Sequence, residues 1–220
     1  MTAQRGAPRL RADAARNVEA ILDAALTLFA ESTHPSMERI AKAAGVGRVT
    51  LYSHFASREL LLTAALDRAL SQAGEAIRGA EPERGTADAA LGRLIAVAWD
   101  ALHRHRRVFE LAERQLDTRA RWERHATTLA PITEVIERGR RDGEFRRDLP
   151  ASWLVTTFYA LLHAAAESVR SGDLPPAGVA DLITATLQPA FATTTGTFAG
   201  AGTTAATEPH GRTRASSGRR

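Results

Sequence analysis

Cysteine is absent from the chain, which removes disulfides, thiol nucleophiles and thiolate zinc sites together. Lysine is almost absent too: Lys42 is the only one, so nearly every fixed positive charge is a guanidinium. With the heavy use of alanine, this bias points to a GC-rich genome rather than to a function. No apolar run approaches the roughly eighteen residues that a membrane-crossing helix needs. The opening Met1-Thr-Ala-Gln-Arg5 lacks the apolar core of a secretory signal, so a cytoplasmic protein with no membrane partner is expected. Phosphate-cradling glycine loops are missing, since Gly79 and Gly85 belong to a polar linker. His103 and His105 alternate in a charged run without a third ligand nearby, so neither a metal nor another cofactor is expected.

What is present suffices for a folded body. Hydrophobic residues make up 44% of the 220, enough for one larger helical unit or two small domains. The net charge of +4 is unevenly placed. Arg5, Arg9, Arg11 and Arg16 face only Asp13 near the start, and Arg212, Arg214, Arg219 and Arg220 face only Glu208 near the end. Basic arms beside a near-neutral body suit a polyanionic partner, although they serve solubility equally well.

The most informative stretch runs from Ser36 to Phe55. Met37, Ile40, Ala41 and Ala44 recur at helical spacing, and Ser36 supplies an oxygen to cap the helix they form. Gly45 ends it, because a residue without Cβ can adopt the left-handed conformation of a tight turn. Arg48 to Phe55 forms the next helix, with Leu51 and Phe55 inward and Arg48, Thr50, Ser53 and His54 on other faces. This is the layout of a helix-turn-helix that offers its second helix to the DNA major groove.

The remainder reads as successive helices. The first covers 14–31, with Val18, Ile21, Leu22, Ala25, Leu26 and Phe29 as its stripe. Ser57 caps a helix reaching residue 78 whose apolar positions are Leu60, Leu61, Ala65, Leu66, Ala69 and Leu70. Further helices span 86–103, 126–141, 150–171 and 177–191, and the charged stretch 104–124 is one helix or two short ones. We therefore expect an all-α protein: a disordered basic arm (1–13), a helix-turn-helix domain (14–60), a helical ligand-sensing and dimerisation domain (61–191) and a disordered tail (192–220). Segment 152–171 is apolar around most of its circumference and must be buried on several sides. A four-helix bundle across a two-fold axis, shared with 177–191, would bury it in a homodimer; a central helix of a monomer is the alternative.

The succession Ser36-Met-Glu-Arg-Ile-Ala41, Ala44-Gly-Val-Gly47, Thr50-Leu-Tyr-Ser-His-Phe55 and Ser57-Arg-Glu-Leu-Leu61 resembles the DNA-binding domain of the tetracycline-repressor (TetR) family over residues 14–66. The chain departs from that pattern in its short, glycine-free connection 31–35 and in Gly47, which replaces a Ser or Thr cap. The resemblance implies a ligand-responsive transcriptional repressor that binds an inverted-repeat operator in double-stranded DNA as a homodimer. It further implies phosphate contacts from Tyr52, His54 and the basic residue Arg58, with Ser36 and Lys42 as candidates on the preceding helix. Tyr52 can alternatively pack under Phe55, and His54 can be a packing or capping residue.

Base contacts follow from side-chain chemistry. Arg48 can meet guanine O6 and N7 in pairs, Thr50 offers a methyl and a hydroxyl, and the small Ser53 lets the helix sit deep. A backbone contact or a plain surface role for Arg48 is the alternative. If the likeness extends to the sensor half, Trp99, His103, Phe109, Trp122, Phe158, Tyr159 and His163 are the polarisable or hydrogen-bonding residues that would line a pocket for a small-molecule effector; ordinary core or surface packing is the alternative for each. His163 and Glu167, four apart, would recognise a polar ligand group or pair with each other. Two other classes stay open: a helical protein–protein adaptor without DNA binding, and a small helical enzyme or ligand carrier.

Overall fold

The computed structural model describes residues 6–32, 34–113 and 118–193, with side chains for 12–32, 34–112, 119–120 and 123–193. Nine α-helices and no strand occur among them: α1 (Gly6–Glu31), α2 (Met37–Ala43), α3 (Arg48–His54), α4 (Arg58–Gly79), α5 (Ala87–Arg104), α6 (Arg106–Glu113), α7 (Thr118–Asp142), α8 (Ala151–Ser171) and α9 (Val179–Phe191). The protein is all-α.

Capping sets several of the boundaries. The hydroxyls of Ser36, Ser57 and Thr86 accept from the amides of Arg39, Leu60 and Ala89 at 3.1, 3.2 and 3.2 Å, each satisfying a donor that the helix leaves free. The start of α5 has a second cap from far along the chain: the Glu144 carboxylate accepts from the amides of Ala87 and Asp88, both at 3.0 Å. Gly172, at φ 87°, ends α8 in the left-handed conformation.

Three expectations are corrected. The first helix begins at Gly6, so residues 6–13 of the supposed disordered arm are helical. Alanine, leucine and arginine there favour the helix, and Pro8 lies in the first turn, where its missing N–H costs no bond. Residues 1–5 and the tail beyond 193 lie outside the described residues. In the charged stretch, α7 starts at Thr118 rather than at 126, supported by a 2.8 Å i,i+4 pair of Arg119 with Glu123. Leu60 is exposed, not inward: the buried stripe of α4 is Leu61, Leu62, Ala65, Leu66, Ala69 and Leu70, and position 60 falls outside its helical phase.

The core centres on α5, whose Ala90, Leu91, Leu94 and Ile95 are fully buried, and which packs mainly on α4, α7 and α9. Helix α4 is the shared element, since it also packs on α1 and α6. Polar joints reinforce these packings. Arg68 of α4 pairs with Glu19 and Asp23 of α1, while its neighbour Asp67 pairs with Arg124 of α7. Arg107 of α6 donates to the Glu31 carbonyl at the end of α1 at 2.9 Å, and the Glu31 carboxylate holds Arg39 of α2, also at 2.9 Å.

At Gly139, α7 lies directly against Phe145 of the segment that follows it. A Cβ there would lie 2.2 Å from the Phe145 ring and 2.8 Å from the Ala87 Cβ, closer than atoms can approach. Gly139→Ala is therefore expected to destabilise the fold by about 1–3 kcal/mol despite alanine's better helix propensity. Urea unfolding monitored by circular dichroism would measure this, and an unchanged or raised midpoint would contradict it.

Candidate nucleic-acid interface and inner cavity

Helices α2 and α3 are too short to persist alone and are held by what they bury. Ile40 and Leu51 are fully buried, and with Ala41 and Phe55 they join the cluster containing Ile21, Ala25 and Phe29 of α1. The turn between them needs Gly45: its φ is 67°, while nothing lies within 4 Å of where a Cβ would sit. Conformation, not space, selects the glycine. Gly47 occupies the cap position of α3 and makes no side-chain cap bond, so the start of the helix presents bare amides.

With Leu51 turned in, the other faces of α3 turn out. Arg48, Tyr52 and Ser53 are exposed, and Thr50 and His54 are half-buried. The Arg48 guanidinium lies 5.7 Å from the Tyr52 ring centre, so the tyrosine stacks along its own helix with 39% of its surface exposed. Ser53 donates to the Thr50 carbonyl at 2.7 Å, which leaves its oxygen free to accept. On α2, Lys42 is exposed and Ser36 is exposed but occupied as the cap. Half-buried Arg58 lies with its guanidinium 5.4 Å from the ring centre of Phe29, which fixes it beside the end of α3. Next to it, Glu59 is held below the usual carboxylate range by its own backbone N–H and then by the Ser57 hydroxyl.

The sequence reading passed over Val49, which is 85% exposed on this helix. A signal existed: two residues before the inward Leu51, a helical residue points almost the opposite way.

A narrow cavity of about 50 Å³ lies between α4, α5, α6, α7 and α8. It brings together four of the expected pocket residues, Phe109, Phe158, Tyr159 and His163. Trp99 and His103 stack on each other at 5.6 Å and lie outside the lining, Trp99 buried in the core and His103 exposed. The Trp122 side chain lies outside the described residues. His125, not anticipated, is 5% exposed and lines the cavity. Its ring centre is 5.1 Å from Tyr159 and 6.1 Å from both Phe109 and His163. Extending the stripe of Leu129 and Ile132 back by four residues would have found it. Glu167, four after His163, accepts from Arg170 at 2.7 Å.

Residues 21–65 match the family model described as bacterial regulatory proteins, tetR family. The HTH-type transcriptional repressor LfrR of Mycolicibacterium smegmatis is 31% identical over 176 residues, 78% of this chain and 88% of LfrR. This chain belongs to the TetR family. The crystal structure of LfrR in complex with proflavine, from Mycobacterium smegmatis, aligns with a TM-score of 0.58 at 28% identity, covering 78% of this chain and 95% of that one. A putative tetR family transcription regulator from Shewanella shares the fold with a TM-score of 0.60 at 24% identity, over 80% of this chain and 98% of its own. As a TetR-family member the protein is a DNA-binding transcriptional regulator, and the enzyme reading gives way. Among the described residues, no helix is long and apolar enough to cross a membrane.

The burial pattern separates support from display on α3. Leu51→Ala is expected to lower stability by about 2–5 kcal/mol, as for other fully buried leucines. Val49→Ala should change it by no more than about 0.5 kcal/mol. Thermal unfolding of the two variants would compare them, and equal losses would contradict the assignment.

Proposed function

We propose that this TetR-family regulator represses by binding an inverted-repeat operator as a homodimer, and that a small molecule in the inner cavity releases it. The observation that carries the reading is the exposed face of α3, where Arg48, Val49, Tyr52 and Ser53 surround an anchored helix. Arg48 is the candidate guanine reader, and Thr50 and Ser53 contact neighbouring bases. To these we add Val49, whose methyls suit thymine. Tyr52, His54, Arg58, Ser36 and Lys42 are the candidate phosphate contacts, which set register without reading sequence. The reading unit comprises α1 to α3 with the start of α4, and the sensing unit comprises the rest. Such a regulator would act in the cytoplasm, where the operator is.

One reading head sees few base pairs, and a two-fold axis would place two of them about 34 Å apart or a multiple of that. The outer faces of α8 and α9 support pairing there. Trp153 and Leu182 are 57% and 48% exposed, beside exposed Ala160, Ala164 and Ala185, small enough for close helix approach. LfrR has been crystallised with proflavine, and the five rings around this cavity would suit a ligand with an apolar or aromatic body. At about 50 Å³ the cavity is smaller than such a ligand. A larger ligand would therefore favour a widened conformation, and release follows if that conformation misplaces the heads.

Selection from random duplexes should return an inverted repeat. Arg48→Ala should then weaken binding to it by about 1–3 kcal/mol per half-site and relax preference at one position in each half. Recovery of unrelated sequences, or equal and feeble binding to operator and random DNA, would refute the reading. A charge introduced at the paired face, Leu182→Glu, should give monomers in sedimentation and weaker operator binding; a persistent dimer would place the interface elsewhere.

A further inference from the structure

Beside the inner cavity a second space of about 230 Å³ opens between α4 and α7, walled by Asp67, Ser71, Gly74, Arg78, Arg124 and Thr127. Leu70 and Thr128 line both spaces, so the two are adjacent compartments of one region. Their chemistry differs. The inner compartment is apolar and aromatic, whereas the outer one carries two guanidiniums and several hydroxyls.

We infer that the effector is an amphipathic acid, its apolar body in the inner cavity and its anionic group on Arg78 in the outer groove. The inference rests on the ligand reading of the cavity given above and names the ligand's class. Arg124 is already paired with Asp67, whereas Arg78 has no ion pair among the described residues. Its fork of donors is suited to a carboxylate.

Gly74 points the same way. It is buried inside α4, where glycine weakens a helix relative to alanine. A Cβ at that position would stand 3.3 Å from Nη1 of Arg78 and 3.9 Å from Oγ1 of Thr128. The guanidinium and the hydroxyl thus converge on the space that a side chain would fill. The Thr128 hydroxyl donates to the Leu70 carbonyl at 3.3 Å, so it braces the junction and leaves anion binding to Arg78. A cationic head would meet that like charge while the groove's own carboxylate is committed to Arg124.

Calorimetric titration of the full-length protein at neutral pH with decanoate, decanol and decylammonium tests the inference. Decanoate should bind about tenfold or more tighter than decanol, the size of one charge-assisted contact, and decylammonium should bind most weakly. Arg78→Met should abolish the difference between acid and alcohol. Gly74→Leu should weaken all three while the thermal melt is retained, since leucine favours helix. The inference is overturned if decanol or decylammonium binds as tightly as decanoate, or if Arg78→Met leaves decanoate binding unchanged. Operator binding, measured without any ligand, keeps the two readings apart. Its loss would count against DNA recognition and not against the acid preference, and operator binding without an acid preference would sink this inference alone.

Discussion

Burial of Leu51 beneath α3 is the constraint on which the rest depends. A seven-residue helix has little stability of its own, so α3 exists because one face is pinned by Leu51 and Phe55 in the core it shares with α2 and α1. Pinning fixes the helix about its own axis as well. Once position 51 is inward, Val49 and Tyr52 must be outward, and Arg48 emerges at the end where the uncapped amides lie. Support and display are thus set by the same residue. Polar substitutions on the outer face should have little effect on folding, while the inner face tolerates almost none.

Helix α4 extends this order to the C-terminal helices. It begins beside α3 with Arg58 stacked on Phe29 and ends against α5. Midway it forms a wall of the inner cavity through Leu70, Ala73 and Ile77. Helix α6 offers a second connection, since Phe109 faces the cavity and Arg107, on the same short helix, holds the end of α1. A ligand that widened the cavity would therefore press on two helices that both touch the reading head.

What was legible in the sequence tracks how local its cause was. The caps at Ser36 and Ser57, the turn at Gly45 and the inward Leu51 each follow from spacing within a few residues, and the structure has them all. The start of α1 was missed because arginines without an apolar stripe read as a loose arm, although alanine and leucine make that segment a good helix. The start of α7 was missed because its charges hid a periodic position, His125, whose burial depends on partners on α6 and α8. Cavity membership was only half legible. Helical phase places Trp99 and Phe158 alike in the interior, but only packing between helices decides which of them borders empty space. Gly74 carried no readable signal, since the groove it shapes comes from two helices fifty residues apart.

The joints around α4 are built from weak material. Arg68 and Arg124 are each 30% exposed and their acidic partners more than half exposed, so solvent screens every one of these pairs. Such contacts contribute about 0–1 kcal/mol each, against a total stability on the order of 5–15 kcal/mol for a protein of this kind. The apolar stripe of α4 therefore holds the two halves together, while these screened pairs, on the proposed reading, could exchange partners like the teeth of a clutch without unfolding either side.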